Sequence, residues 1–110
     1  KFVLVVCLND RGADGTDISW IWDANFEALP ALAGKLQRVI VSGDRAADMR
    51  IRLKYAGIDD AAIETERDYG RLVEWIAGQD EPGYIMPTYT AMLELREAVI
   101  RRCGGSEFWE

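Results

Sequence analysis

The sequence predicts an α/β sandwich: a mostly parallel, Rossmann-like sheet of about four to six strands, flanked by helices in three layers. Short apolar runs at residues 2–8, 38–42 and 84–86 alternate with longer stretches whose apolar residues recur at helical spacing. No internal repeat or low-complexity segment interrupts this alternation. Because parallel strands need right-handed crossovers, a central first strand predicts the strand order 3-2-1-4.

The first strand and the segment after it come first in the chain. Residues 2–8 are rich in Val and too few for a buried helix, so they predict a strand buried on both faces. Residues 18–22 suit either a strand or a helix capped by Asp17, and the sequence leaves that choice open. Residues 23–29 predict a short helix that ends at Pro30.

The middle of the chain predicts a second buried strand and a helix. Residues 38–42 are apolar and β-prone, and a turn at residues 43–44 leads into a helix that Gly57 ends. The apolar residues at helical spacing, expected to be buried, are Ala46, Met49, Leu53 and Ala56. The cations expected on the other faces are Arg45, Arg50, Arg52 and Lys54.

The last third of the chain predicts two strands and two helices. Residues 62–64 predict a short edge strand, and residues 84–86 predict a third core strand. Residues 67–77 predict a helix whose buried stripe consists of Tyr69, Leu72, Val73 and Ile76. Residues 87–90 turn into the final helix, whose sheet-facing side chains should be Met92, Leu95 and Val99.

Composition restricts the class of protein. We expect residues 1–110 to be a single domain cut from a longer chain, because the sequence opens with Lys1 directly at a strand. The net charge of −6 and the absence of a basic run argue against nucleic acid as a partner. No stretch approaches the roughly 20 apolar residues of a transmembrane helix. We therefore expect a soluble, cytoplasmic domain with no transmembrane segment.

The chain contains no histidine, which removes the commonest general base and metal ligand. A self-contained Ser-His-Asp or Cys-His site is therefore impossible, and any histidine must come from another domain or another chain. Cys7 and Cys103 lie far apart and lack metal-ligand spacing. We expect both cysteines to be reduced and structural, with no metal site.

The loop at residues 8–17 concentrates the polar chemistry of the chain. It follows the first strand, at the sheet edge where open α/β folds bind their ligands. Its polar side chains, which predict a functional site, are Asn9, Asp10, Arg11, Asp14 and Asp17. A turn that only reverses the chain is an equal alternative, since Asp, Asn and Gly are the usual turn residues.

Two further segments are expected beside this loop. The predicted strand order places residues 42–45 and 87–90 at the same edge of the sheet. Together with an aromatic residue after the loop, they supply the candidate substrate- or partner-binding residues Trp20, Arg45, Thr88 and Tyr89. A helix N-terminus near Arg45 would favour anions, although a solvated arginine is the simpler interpretation. Trp20 is expected at the floor of the loop or an interface, and Trp22 in the core.

Three separated motifs resemble signatures of one protein family. Residues 9–17 (NDRGADGTD) followed by SWIWD at residues 19–23 resemble the N-D-N-x-A-D-G-x-D-x-S-W-I-W-D signature of the MurT proteins. Residues 52–57 and 87–93 are similar to two later signatures of that family. The resemblance covers only the carboxyl-terminal, Mur ligase C-terminal-like domain. Residues 11–12 depart from the Asn-rich form of the loop.

The resemblance implies a subunit of lipid II isoglutaminyl synthase, which amidates the D-glutamate α-carboxyl of the peptidoglycan stem peptide with ATP. It implies a GatD-like glutamine amidotransferase partner, whose catalytic Cys and His are completed by an Asp of the MurT subunit. It also implies ATP with Mg²⁺, and zinc, bound mainly in a domain upstream of Lys1. No cofactor is expected in this fragment, which by itself should be inactive.

The three acids of the loop differ in how free they should be to reach a partner's histidine. Such an acid accepts a hydrogen bond from the imidazole, so it must project from the surface. Asp14 at the loop tip is expected to be freest, ahead of Asp10, which directly follows the strand. Asp17 comes third because it would cap the next segment. The alternative role for Asp14 is a turn residue that binds its own backbone.

A second class of function stays open at this point. Acidic residues after a strand are also typical of a non-catalytic α/β module that binds Mg²⁺ or a nucleotide, such as a receiver-like domain. A receiver needs a lysine after its last strand, and no lysine follows Lys54. Neither the dinucleotide nor the phosphate-loop glycine motif occurs, which counts against the familiar nucleotide-binding modes.

Overall fold

The computed structural model describes residues 1–32 and 34–103. One sheet contains the strands β1 (Phe2–Cys7), β2 (Leu36–Ser42), β3 (Ile63–Thr65) and β4 (Gly83–Pro87). The α-helices are α1 (Ala46–Tyr55), α2 (Tyr69–Ala77) and α3 (Tyr89–Cys103). The strand order is β3-β2-β1-β4 and every strand pair is parallel. The predicted α/β sandwich and its strand order are therefore confirmed.

β1 is the centre of the molecule and is buried on both faces, as its continuous apolar run predicts. On one face, Leu4 and Val6 join a core that packs beneath α1 and the segment between β1 and β2. On the other face, Val3 and Val5 join a second core beneath α2 and α3. Helices on both sides of the sheet thus complete the three layers.

The register of the strands brings three loops to one edge of the sheet. Cys7, at the end of β1, lies opposite Ser42 of β2 on one side and Pro87 of β4 on the other. The three strands therefore end at the same level. The segments that follow them must lie side by side above the carboxyl edge of the sheet.

The segment between β1 and β2 forms short 3-10 helices. Ser19–Trp22 is one, which resolves the choice that the sequence leaves open for residues 18–22. The predicted helix at residues 23–29 is wrong: the observed 3-10 helix is Phe26–Leu32, and Pro30 lies inside it. Proline has no N–H for an α-helical hydrogen bond, so the chain adopts short, tightly wound turns here and not an α-helix.

β4 is an exposed edge strand, so the prediction of a third core strand at residues 84–86 is wrong. Tyr84 and Met86 are 59% and 52% exposed. Within the described residues β4 pairs only with β1, and neither Tyr84 nor Met86 belongs to the core beneath α1. The apolar sequence of β4 does not by itself show that the strand is covered, because apolar residues also occur widely on protein surfaces.

Of the three side chains predicted to face the sheet from α3, Leu95 is buried and Val99 packs against the core, but the prediction for Met92 is wrong. The buried residues of the helix are Ala91, Leu95 and Ala98, whereas Met92 is 44% exposed. Ala91 and Ala98 fill the rest of the buried stripe. No helix in the described part of the chain is both long and apolar enough to cross a membrane.

Candidate functional site

Asn9 lies at the centre of the carboxyl edge and connects all three loops there. Its side chain is buried, with Nδ2 donating to Thr90 Oγ (3.0 Å) and Oδ1 accepting from the backbone N–H of Asp44 (2.7 Å). Its own backbone N–H donates to Thr88 Oγ (3.0 Å). The expected meeting of the acidic loop with residues 42–45 and 87–90 is therefore confirmed.

Gly43 lets the turn after β2 lie directly against the end of β1. Its φ is +90°, and a Cβ there would lie 2.5 Å from the carbonyl oxygen of Leu8. The same Cβ would be 2.9 Å from Oδ1 of Asn9. Only glycine combines this dihedral with this approach, so Gly43 holds the Asp44 N–H within reach of Asn9.

Asp14 is bound on both carboxylate oxygens, so the expectation that it is the freest acid is wrong. It lies in a short 3-10 helix, Gly12–Asp14. Oδ1 accepts from the backbone N–H of Thr90 (2.7 Å), and Oδ2 accepts from the Thr90 hydroxyl and from the Arg11 N–H (3.2 Å). Desolvation raises the pKa of Asp14, but these hydrogen bonds outweigh it and the net shift is downward.

Arg11 holds the loop to its neighbours on two sides. Its Nε and Nη2 donate to the two carboxylate oxygens of Asp44 (2.8 and 3.2 Å), and Nη1 pairs with Glu94 of α3. The hydrogen bond that Arg11 donates to Asp44 is the main cause that raises the pKa of Arg11 above its ordinary value. Arg11 is therefore engaged with this chain's own acids, and its guanidinium anchors the loop.

Asp10 and Asp17 are the two acids of the loop that remain at the surface. Asp10 faces Arg45, whose Nε lies 3.7 Å from Asp10 Oδ2 and 3.0 Å from Asp48. Asp17 is exposed, and its Oδ1 accepts from the backbone N–H of Ser19 (2.8 Å). That hydrogen bond lowers the pKa of Asp17, and no ion pair is recorded for it within the described residues.

The two tryptophans after the loop differ in position. Trp20 is 46% exposed and lines an apolar cavity of about 350 Å³ together with Phe26, Leu29 and Met86. Thr88 also lines this cavity, which therefore opens beside the acidic loop. The prediction that Trp22 lies in the core is wrong: it is 51% exposed and lies over the guanidinium of the buried Arg52. Tyr89, the other aromatic candidate, is 55% exposed at the start of α3.

The prediction that Arg52 lies on an outward face of α1 is wrong. It is 2% exposed, and it donates to the carbonyl oxygens of Ile21 (2.6 Å) and Ala24 (2.9 Å). Two further N–H groups reach Glu27 (2.8 and 2.7 Å). Its spacing of three residues from the buried Met49 places it on the inner face of the helix, which is the signal that could have identified it.

The chemistry available at this edge is that of fixed carboxylates. Within the described residues, no group of three or more Asp, Glu and Cys side chains is placed to hold a metal ion. The Tyr69 side chain packs against the second core, and burial raises the pKa of Tyr69 to about 12. Tyr69 therefore stays protonated at neutral pH. The edge has exposed carboxylates and no histidine, an arrangement suited to orienting a cationic or N–H group supplied from outside.

Fold and site together define a parallel α/β sandwich domain that presents a rigid acidic loop at the end of its central strand. A family model described as MurT ligase C-terminal matches residues 1–92. The chain belongs to this MurT ligase C-terminal family.

Similar proteins carry one name. The chain is 37% identical over 102 residues to the lipid II isoglutaminyl synthase (glutamine-hydrolyzing) subunit MurT of Streptococcus pneumoniae, which covers 92% of this chain and 22% of that protein. It is 36% identical over 107 residues to the subunit of the same name from Staphylococcus aureus strain COL, covering 96% of this chain and 23% of the relative. The chain thus spans less than a quarter of the length of these relatives.

Proposed function

We propose that this chain is the carboxyl-terminal domain of a MurT-type subunit of an ATP-dependent lipid II isoglutaminyl synthase in the cytoplasm. The whole enzyme would amidate the α-carboxyl of D-glutamate in the stem peptide of lipid II. A GatD-like glutamine amidotransferase subunit would release the ammonia. The observation that carries the proposal is an exposed, rigidly held acidic loop in a histidine-free chain whose relatives are named as subunits of a glutamine-hydrolyzing synthase.

The role proposed for the loop is to supply one carboxylate to the partner's catalytic histidine. In a Cys-His-Asp arrangement the acid accepts a hydrogen bond from the imidazole, selects its tautomer and stabilises the imidazolium. The acid must be ionised, held in one orientation and open to the partner. A chain without histidine can provide such an acid, but it needs a second subunit to provide the base.

Asp17 meets these requirements best among the three acids. One of its oxygens is oriented by the Ser19 N–H, its pKa is lowered, and its side chain faces solvent. Asp10 shares the field of Arg45, and a cation beside the acid would weaken its support of an imidazolium. Asp14 has both oxygens occupied by Thr90 and Arg11. The contacts therefore favour the order Asp17, Asp10, Asp14, which reverses the order expected from position in the loop.

The nucleotide and metal chemistry is proposed to lie outside these residues. The chain has no phosphate-loop motif, and its described residues include no three-ligand metal group. ATP with Mg²⁺, and zinc, would then be bound by the rest of the subunit. The isolated chain is accordingly expected to bind ATP weakly or not at all, and to have no amidation activity.

The test is a set of charge-removing variants in the complex of the MurT-type subunit with its glutamine amidotransferase partner. We expect Asp17→Asn to lower the kcat of glutamine hydrolysis by about 10²–10⁴-fold, because the amide N–H opposes the required imidazole tautomer. Amidation supplied with free ammonium, and the affinity of the subunits, should stay near wild type. Asp80→Asn, an exposed acid after α2, is the matched control.

Each other outcome has a definite meaning. Loss of glutamine hydrolysis in Asp10→Asn, with normal hydrolysis in Asp17→Asn, would transfer the role to Asp10. Full glutamine hydrolysis in the Asp10→Asn, Asp14→Asn and Asp17→Asn variants alike would overturn the proposal that this loop completes the partner's site.

A further inference from the structure

Asn9, Thr90 and Asp14 form a directional chain of hydrogen bonds across the carboxyl edge. Asn9 Nδ2 donates to Thr90 Oγ (3.0 Å), and the Thr90 hydroxyl has one hydrogen, which it donates to Asp14 Oδ2. The orientation of the Asn9 carboxamide is itself determined, since its Oδ1 accepts from the Asp44 N–H (2.7 Å). Every donor and acceptor in this chain has one compatible assignment, so the three side chains hold one another in a single arrangement.

This chain of bonds fixes the acidic loop at two points. At its base, Asn9 is 1% exposed and its backbone N–H is bound by Thr88. At its tip, Asp14 accepts both the backbone N–H and the hydroxyl of Thr90, in the first turn of α3. Asp10 and Asp17 have no comparable anchor to a helix, and they lie one residue beyond Asn9 and three residues beyond Asp14. Their placement therefore depends on these two fixed points, together with the Arg11 pairs to Asp44 and Glu94 between them.

We infer that Thr90 is a positioning residue, which holds the acidic loop in the conformation that presents its exposed carboxylate to the partner's histidine. The part of this inference that concerns glutamine hydrolysis rests on the proposed function. The part that concerns how Thr90 holds the loop rests on the hydrogen-bond geometry alone. Thr90 suits this task because its one hydroxyl accepts from Asn9 and donates to Asp14 at the same time. A hydrogen bond to an ionised carboxylate is about twice as strong as one between neutral groups, so the Asp14 bond is the dominant one.

The sharpest variant pair is Thr90→Val and Thr90→Ser. Valine preserves the branched shape of threonine but neither accepts from Asn9 nor donates to Asp14, whereas serine retains the hydroxyl and loses only a methyl group. Thr65→Val is the matched control. Thr65 ends β3, the outermost strand on the side of the sheet away from β4, and its hydroxyl accepts from Arg50 (3.0 Å).

The first readout is amide hydrogen exchange of residues 10–17 in the chain itself, which requires neither partner nor substrate. We expect Thr90→Val to accelerate exchange across this loop by about tenfold or more, since it removes a hydrogen bond to a charged group. Exchange in β1 and β2 should stay unchanged, Thr90→Ser should lie near wild type, and Thr65→Val should have no effect on the loop. Unchanged amide exchange of the loop in Thr90→Val would overturn the claim that the Thr90 hydroxyl holds the loop in place.

The second readout is glutamine hydrolysis in the complex with the partner subunit. We expect Thr90→Val to lower kcat by about tenfold at an unchanged KM for glutamine, because glutamine binds the partner and only the acid is misplaced. Thr90→Ser should restore the rate to within about twofold. A loosened loop with undiminished kcat would overturn the positioning role. If Asp17→Asn and Asp10→Asn are also fully active, the proposed function fails as well. The exchange result then still shows whether Thr90 holds the loop.

Discussion

At the scale of single residues, Arg52 determines how the segment after the acidic loop is held. Its guanidinium is buried and divides its N–H groups between two backbone carbonyls and the Glu27 carboxylate. It also lies 5.2 Å from the centre of the Phe26 ring and 5.3 Å from that of Trp22. A segment built of 3-10 turns has few regular backbone hydrogen bonds. Arg52 therefore supplies donors to backbone carbonyls that would be paired within an α-helix.

We predict that Arg52→Lys lowers the free energy of unfolding by about 2–3 kcal/mol. Lysine keeps the charge but cannot reach two carbonyls and a carboxylate together, which leaves buried carbonyl oxygens without donors. Urea denaturation measures the change. Arg50→Lys is the control two residues away, where a partly exposed pair with Asp60 should contribute only about 0.5 kcal/mol. Equal losses in the two variants would contradict this account of Arg52.

At the scale of elements, the turn from β2 into α1 controls the geometry of the carboxyl edge. Gly43 brings this turn against the end of β1, where the N–H of Arg45 donates to the Leu8 carbonyl (2.9 Å). The same turn supplies the Asp44 N–H to Asn9. The spacing between two neighbouring strand ends therefore depends on one residue without a side chain.

We predict that Gly43→Ala destabilises the chain by roughly 3 kcal/mol, through a strained φ and a Cβ within the contact distance of Leu8. Gly12→Ala is the matched control, since a Cβ at Gly12 would meet nothing within 4 Å and its φ is not positive. The control should change stability by no more than about 0.5 kcal/mol. Thermal and urea unfolding of both variants measure the difference, and a neutral Gly43→Ala would show that the turn adapts freely.

At the scale of the whole molecule, the sheet divides the interior into two cores that meet only through β1 and β2. Cys7 lies at the end of β1 in the core formed with α2 and α3, and it is 1% exposed. Burial raises the pKa of Cys7 to about 12. Cys103, at the end of α3, is exposed, and both cysteines are free. Reaction of Cys7 with a thiol reagent therefore requires the second core to open.

We predict that a chromogenic disulfide reagent modifies one thiol rapidly in the folded chain and the second only on unfolding. The reactive species is the thiolate, whose formation burial opposes at Cys7, whereas the Cys103 side chain is exposed to the reagent. Ellman titration with and without denaturant gives the counts directly. In Cys103→Ser the rapid phase should vanish while the slow one remains. Two rapid thiols in the native chain would show that the second core opens easily.

The sequence by itself determined the fold class, the strand order and the location of the acidic loop. These follow from local patterns: short, Val-rich apolar runs favour strands, and parallel strands joined by helices have few permitted orders. The lack of histidine equally shows that any histidine acting at this loop must come from another domain or another chain. Edge strand β4 was placed correctly in the order but not in the core, because an apolar run does not reveal whether a layer covers it.

Only the tertiary structure decided which acids are free and which are used for structure. Asp14 and Thr90 are 76 positions apart in sequence, and Arg52 lies 31 positions from the Ile21 carbonyl it binds. No local pattern records such contacts. A carboxylate at a loop tip and an arginine on a helix look solvated in sequence, since their partners come from segments that only the closed sheet brings near. Long-range hydrogen bonds, which depend on three-dimensional distance and angle, therefore decide that Asp14 holds the loop and that Asp17 stays at the surface.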